Sequence, residues 1–309
     1  MIHVRTPATT ANMGPGFDCI GMALQMYNTL RVEETEDGVT VENGRSNARV
    51  PASGRNLIYA SIQRYFRETG IPVPYRGLRL VQADDIPQTR GLGSSAACIV
   101  SGLAAANALA GGRLSRLELA ELAALMEGHP DNAVPAVLGG MVVSVMTEGK
   151  RLEYVKLDIS RLVDDGLRFG VMVPDFPLST EKVRKALPAE YTREQVVFNT
   201  ARAAMLVAAV QTGDYNKLQT AMDDCIHQPY RSAHIPGMAE IFAAAKAAGA
   251  LGVYLSGAGP SIVTVYRGTE ARGGLLGCLR GLEKKWILLE LAPDTEGFTV
   301  EHSDTKQGI

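Results

Sequence analysis

An excess of positive charge is the first thing this sequence lacks. Lysine and arginine number 31 against 33 aspartates and glutamates, giving a net charge of −2 and a pI near 6.2. General binders of nucleic acid or of membrane surfaces need a basic face, so neither class is expected. A few local groups can still hold an anionic ligand. Paired cysteines are lacking too: Cys19, Cys98, Cys225 and Cys278 lie far apart, with neither metal-ligand nor redox spacing. Reduced thiols of a cytoplasmic protein are the expectation. The five histidines include no His-x3-His pair, which argues against zinc. The opening MIHVRTPATTANMG sets no apolar core behind a basic start, so no secretory signal is expected. The longest apolar runs are alanine-rich and broken by glycine or polar residues, and none reads as a membrane span. Internal repeats and low-complexity segments are absent.

What is present is enough apolar material, 46% of 309 residues, for one large domain or two ordinary ones. Strands are expected at 2–5 and 24–34 around a long Gly/Pro loop, and at 39–42, 77–82, 140–146 and 152–157. Helices are expected at 56–68 with Asn56 as N-cap, at 94–109 stopped by Gly111 and Gly112, and from Ser115 to about 126. Ser115 and Glu118 fit a capping box there. A polar stretch ending at Gly166 suggests a boundary near residue 160, dividing the chain into 1–160 and 161–309. Beyond it come a strand at 167–173 and helices at 180–187, 193–211, 216–226 and 237–248. Thr192 and Gln195 make a second capping box at the 193–211 helix. The strand-turn-strand GVYLSGAGPSIVTVY, a last helix and a strand at 286–291 follow. Strands and helices mix without βαβ regularity, which indicates α+β.

The stretch PQTRGLGSSAACIV, residues 87–100, puts glycines immediately ahead of a compact helix. Such a turn presents unpaired backbone N–H groups at the positive end of the helix dipole, an arrangement suited to phosphate. Gly91 and Gly93 allow close backbone approach, Ser94 and Ser95 add hydroxyls, and Ala96, Ala97 and Gly102 let the helix pack tightly behind the loop. The dinucleotide pattern fails at Ala96, the Walker pattern lacks its Lys-Ser or Lys-Thr, and the nucleophile elbow fails at Ala97. The plainer alternative is an ordinary strand-to-helix turn. Two further glycine-bearing turns, in PATTANMGPGFDCIGMAL and in LSGAGPS, weigh against punctuation alone.

These segments resemble the GHMP kinases, the family named for galactokinase, homoserine kinase, mevalonate kinase and phosphomevalonate kinase. The signature P-x-x-x-G-L-G-S-S-A-A is present as Pro87, Gly91, Leu92, Gly93, Ser94, Ser95, Ala96 and Ala97. Within the family, PATTANMGPGFDCIGMAL, EGHPDNAVPAVLGG, STEKVRKALP and HQPYR resemble the homoserine-phosphorylating branch. Asn132-Ala133-Val134-Pro135 stands where most members read Asn-Val-Ala-Pro, and only Gly128 separates Glu127 from His129 where some members carry an insert. The resemblance spans nearly the whole chain. It implies a two-domain α+β fold: an N-terminal domain like ribosomal protein S5 domain 2, a ferredoxin-like C-terminal domain, and an active site between them. It implies phosphoryl transfer from ATP to the hydroxyl of L-homoserine, a step in threonine biosynthesis, in an enzyme that is often a homodimer. A mevalonate-branch kinase is the alternative substrate reading. A non-catalytic relative and an interaction protein are the alternatives of other classes.

The family pattern carries roles residue by residue. Pro87, Gly91, Leu92, Gly93, Ser94, Ser95, Ala96 and Ala97 are expected around the ATP phosphates, and Asn56 near the adenine. Ser95 and Glu127 are expected on Mg2+, which favours one or two carboxylates together with phosphate and water. Arg184 and Arg231 match carboxylate-binding arginines, with Thr180 one helical turn before Arg184, and Asp18 matches the ammonium partner. Asn12, His129, Asp131 and Asn132 are expected around the substrate and its hydroxyl, and Gly257 is expected to offer backbone N–H groups. Asn132 is an amide and no general base, so it is expected to orient the hydroxyl, with Asp131 the competing base. Arg90, just before the first glycine of the loop, is expected either to add positive charge over the ATP phosphates or to point to solvent, and solvent is the favoured reading of the two.

Overall fold

The computed structural model describes residues 1–44, 49–50 and 56–303. The first part of the chain supplies β1 (Ile2–Asn12), β2 (Gly16–Thr35), β3 (Gly38–Asn43), β4 (Arg49–Val50), β5 (Gly77–Asp84), β6 (Met141–Met146) and β7 (Leu152–Leu157). The second supplies β8 (Arg168–Pro174), β9 (Gly252–Leu255), β10 (Ile262–Tyr266), β11 (Trp286–Leu291) and β12 (Thr299–His302). An eight-stranded sheet runs β12-β1-β2-β5-β3-β4, with β6 and β7 branching from the N-terminal half of β2. A four-stranded sheet runs β11-β8-β10-β9, antiparallel throughout. Counted from β8, that order is 4-1-3-2 with helical segments after the first and third strands, which is the ferredoxin-like arrangement.

The chain changes sheets between β7 and β8, around residue 160. It then returns, because β12 pairs with β1, so the last described residues of the 161–309 segment lie in the first sheet. The expected N-terminal Gly/Pro loop is a correction. Most of it is strand, with β1 and β2 paired down to Asn12↔Gly16. Left-handed φ at Asn12, Met13, Gly14 and Asp18 confines the reversal to a few residues.

The helices are α1 (Leu57–Thr69), α2 (Ser94–Leu109), α3 (Arg116–Glu127), α4 (Pro130–Leu138), α5 (Ser160–Asp164), α6 (Thr180–Arg184), α7 (Arg193–Thr212), α8 (Leu218–Ala221), α9 (Gln228–Ser232), α10 (Met238–Ala247) and α11 (Glu270–Gly281). Both capping boxes form, Ser115 with Glu118 and Thr192 with Gln195. Small residues let α2 lie against α1, since a Cβ on Gly102 would overlap the Ile58 carbonyl. The helix expected at 216–226 is cut to α8 after a short 3-10 turn. The Asp224 carboxylate folds back to accept the N–H groups of Ile226, His227 and Gln228, and so starts α9 instead. The helix expected at 180–187 is cut to α6: residues 185–187 form a turn in which the Leu187 N–H donates to the Arg184 carbonyl, ahead of Pro188. Among the described residues no helix is long and apolar enough to cross a membrane.

One apolar core lies between the first sheet and α1–α4. A second joins the halves, packing Met22, Leu24 and Met141 with Phe169, Val171, Leu206, Val210 and Tyr254. This shared core fixes the two halves against each other and so fixes the cleft between them.

Candidate active site

The cleft opens where the N-terminus of α2 meets the β1–β2 turn, the start of α4, α6, α9 and the β9–β10 turn. Gly91 and Gly93 both have left-handed φ, +73° and +68°. Their missing Cβ atoms admit the protein itself. A Cβ on Gly91 would overlap the Ser256 carbonyl oxygen, and one on Gly93 would overlap Thr9 Oγ1. The loop is therefore clamped to β1 on one side and to the β9–β10 turn on the other. Gly93 is the N-cap of α2 and gives no side-chain cap, which leaves the first-turn N–H groups facing the cleft with Ser94 and Ser95.

Behind the loop, Ser95 Oγ donates to Glu127 Oε2 at 2.9 Å. Glu127 ends α3, so the helix places its carboxylate beside the start of α2. Burial pushes its pKa up, with the Ser95 hydrogen bond and His129 acting against that. A relay runs along the start of α4. His129 Nδ1 lies 2.6 Å from Asp131 Oδ1, Asn132 Nδ2 donates to the same oxygen at 3.2 Å, and Thr9 Oγ1 donates to Asn132 Oδ1 at 2.8 Å. Asp131 is only 2% exposed. Burial alone lowers the His129 pKa, but the hydrogen bond and charge of Asp131 outweigh it and the net shift is upward.

On the far side, Asp18 accepts two hydrogen bonds from Arg184, at 2.8 and 3.1 Å. The two residues assigned to opposite charges of a zwitterion thus hold each other. Asn12 is buried with left-handed φ, accepts from the Asp18 N–H and donates to the Gly257 carbonyl at 2.9 Å. Arg231 is 1% exposed and donates to the same carbonyl at 2.9 Å. Burial, with the like charge of Arg184 adding to it, pulls its pKa down to about 10, so it is charged at neutral pH. The Phe17 ring lies against both guanidiniums, 5.6 Å from that of Arg184 and 5.3 Å from that of Arg231. Asp18, His129 and Asp131 place ligand atoms within 4.8 Å of one another. Arg184 and the His129–Asp131 hydrogen bond already occupy them, which leaves this trio a poor cation site.

Of the residues expected from sequence, Asn12, Asp18, Gly91, Gly93, Ser94, Ser95, Glu127, His129, Asp131, Asn132, Thr180, Arg184, Arg231 and Gly257 all line the cleft. Leu92, Ala96 and Ala97 are buried and serve packing. Pro87 and Asn56 are not among the lining residues; Asn56 caps α1, its Oδ1 accepting from Tyr59 N–H at 3.0 Å. Two expectations are corrected. The Gly257 N–H is spent on the Ala11 carbonyl, so this glycine enters the site as an acceptor for Asn12 and Arg231. Arg90 does not simply face solvent: it donates to the carbonyls of Pro174 and Asp175 at 2.9 and 2.8 Å, tying the loop to the end of β8. Thr89 and Ala258 line the cleft without having been expected. His227, fully buried behind Arg231, was also missed as a site residue, although it opens the HQPYR segment and stands four residues before that arginine.

The family model for the GHMP kinases N terminal domain matches residues 56–140, and that for the GHMP kinases C terminal matches 206–275. A homoserine kinase of Caldicellulosiruptor saccharolyticus is 43% identical, covering 97% of this chain and 96% of that one. A homoserine kinase of Moorella thermoacetica is also 43% identical, covering 96% of this chain and 99% of its own. The crystal structure of a homoserine kinase from Cytophaga hutchinsonii superposes with a TM-score of 0.83 at 30% identity over 97% of each chain. A mevalonate kinase structure reaches a TM-score of 0.73 at 14% identity, over 95% of this chain and 99% of its own, a likeness of fold alone.

Proposed function

The chain belongs to the GHMP kinase family, and we propose that it transfers the γ-phosphoryl group of ATP to the hydroxyl of L-homoserine. The products are ADP and O-phospho-L-homoserine, a step in threonine biosynthesis. The observation that carries the substrate is the charge layout of the cleft, one carboxylate, Asp18, beside two guanidiniums, Arg184 and Arg231, across from the N-terminus of α2. A zwitterion takes over both halves of the Asp18–Arg184 pair: its ammonium replaces Arg184 at Asp18, and its carboxylate turns to the arginines, with Thr180 alongside. Mevalonate brings a carboxylate and no ammonium, so in drawing Arg184 away it would leave Asp18 without a cation. The four free cysteines suit a cytoplasmic setting.

The phosphates of ATP lie along the backbone from Gly91 to Ala96, at the dipole end of α2. The residues fit Mg2+. Ser95 and Glu127 are oxygen donors 2.9 Å apart, and among the described residues no lysine or arginine forms a salt bridge with Glu127. Ser95 and Glu127 would hold the ion, and it would supply neutralisation of the charge that develops during phosphoryl transfer. The protein's own part is positioning. Thr9 and Asp131 hold both ends of the Asn132 amide, leaving one N–H and one lone pair of that group for the substrate hydroxyl. In this reading the hydroxyl proton passes to the phosphoryl group or to solvent, and Asp131 serves by fixing His129 and Asn132.

A coupled ADP-release assay with homoserine and Mg-ATP tests the reaction directly, and phosphorylation of mevalonate in place of homoserine would reject it. Asp131→Asn tests the base. It is expected to keep kcat within about tenfold of the native value. A loss of most of kcat at unchanged KM and unchanged melting temperature would instead make Asp131 the base.

A further inference from the structure

The sequence match points to Arg231 but is silent on what holds it. Its side chain is buried, its Nε has no hydrogen-bond partner, and its Nη1 is shared between the Gly257 carbonyl and His227 Nδ1, the latter at 3.2 Å. His227 stands four residues before it, at the N-cap of α9. The other ring nitrogen, Nε2, lies 2.7 Å from the carbonyl oxygen of Gly14 in the β1–β2 turn. The ring also stacks on Phe17, centroids 5.3 Å apart, the ring that lies against both arginines.

These partners fix the tautomer. A carbonyl only accepts, so Nε2 carries the hydrogen. A guanidinium only donates, so Nδ1 is bare. A second proton would set an N–H against the Arg231 N–H groups, and burial independently holds the imidazole pKa below its usual range. Asp224, whose Oδ2 lies 3.6 Å from Nε2, is committed to the backbone N–H groups that open α9.

We propose that His227 is a positioning residue for Arg231, one that aims the guanidinium with a lone pair instead of a charge. The two acceptors on Arg231, the Gly257 carbonyl and His227 Nδ1, are both neutral. The full positive charge therefore stays available to the substrate. Arg184, by contrast, is neutralised by Asp18 until the substrate displaces it. A carboxylate at 227 would aim the guanidinium equally well and cancel the charge it presents. This inference rests on the homoserine reading and deepens it: Arg231 is the standing carboxylate receptor, and His227 keeps it so.

His227→Asn and His227→Gln separate this role from simple packing. The Asn amide oxygen reaches the Nδ1 position, on the Arg231 side. The Gln amide reaches the Nε2 position, on the Gly14 side. The Asn variant is expected to keep KM for homoserine within about threefold of native. The Gln variant is expected to raise it at least about tenfold. KM for ATP and melting temperature should match between the two. Equal KM for homoserine in both variants, or the reverse order, would overturn the proposal. Failure of the native enzyme to phosphorylate homoserine would reject the substrate reading itself, a separate outcome read in the same assay.

Discussion

Glu127→Gln is expected to lower kcat by at least about a hundredfold, close to 2.7 kcal/mol of transition-state stabilisation. The amide keeps the shape of the side chain and can still meet Ser95, but it gives up the negative charge that a divalent cation needs. The same change should leave the free protein as stable as before, or more so. Burial raises the Glu127 pKa, so the folded state holds that proton more tightly than the unfolded chain does. With an acid whose pKa is raised on folding, stability falls as pH climbs from the ordinary value of 4.5 through the folded one, and at neutral pH the bare carboxylate is a cost. Glutamine removes that cost. The expected signature is opposite movement: much lower kcat, equal or higher melting temperature without nucleotide, and loss of the added protection that Mg-ATP gives over ATP alone. Native turnover in the variant would remove Glu127 from the metal site. A melting temperature that fell along with kcat would make it a structural residue.

Local signals proved legible where one residue decides one hydrogen bond. Asn56, Ser115 with Glu118, and Thr192 with Gln195 cap the helices expected of them, and α2 spans the residues read as its helix. Signals that depend on distant partners were not legible. α4 carries Pro135 in its interior, which argues against a helix locally, yet its residues are almost wholly buried against the first sheet. β12 is four residues long and gains its identity only by pairing with β1, nearly three hundred residues away. The site divides in the same way. The cleft residues carry functional groups in a family pattern, so they could be named in advance. The partners of those groups could not. Arg90 ends on the carbonyls of Pro174 and Asp175, Arg231 on Gly257 and His227, and Asn132 on Thr9. A backbone carbonyl acceptor has no residue type, so no motif announces it.

The glycines of the loop show the same limit, and they carry the second large prediction. Read from the sequence, Gly91 and Gly93 clear space for phosphate; in the structure each clears space for another part of the chain. Gly93→Ala should therefore destabilise the protein even without nucleotide. A left-handed alanine costs roughly 1–2 kcal/mol, and overpacking adds typically 1–3. The clash has a removable partner, because the overlapped atom is the Thr9 hydroxyl. Thr9→Ala alone costs on the order of 1 kcal/mol, from the lost hydrogen bond to Asn132. The double variant Gly93→Ala/Thr9→Ala should then be less destabilised than the sum of the two, by at least about 1 kcal/mol. Gly91→Ala should behave differently. Its clash is with the Ser256 carbonyl, a main-chain atom that no substitution removes, so pairing it with Ser256→Ala, which itself gives up the hydroxyl's hydrogen bonds to the Gly91 carbonyl and Thr10, should show no rescue. Denaturant titrations of the six variants supply both cycles. If Gly93→Ala melts like the native chain and loses only ATP affinity, the loop's glycines serve the phosphate and not the fold. If both cycles are additive, the clamp between the loop, β1 and the β9–β10 turn is not what fixes the glycine requirement.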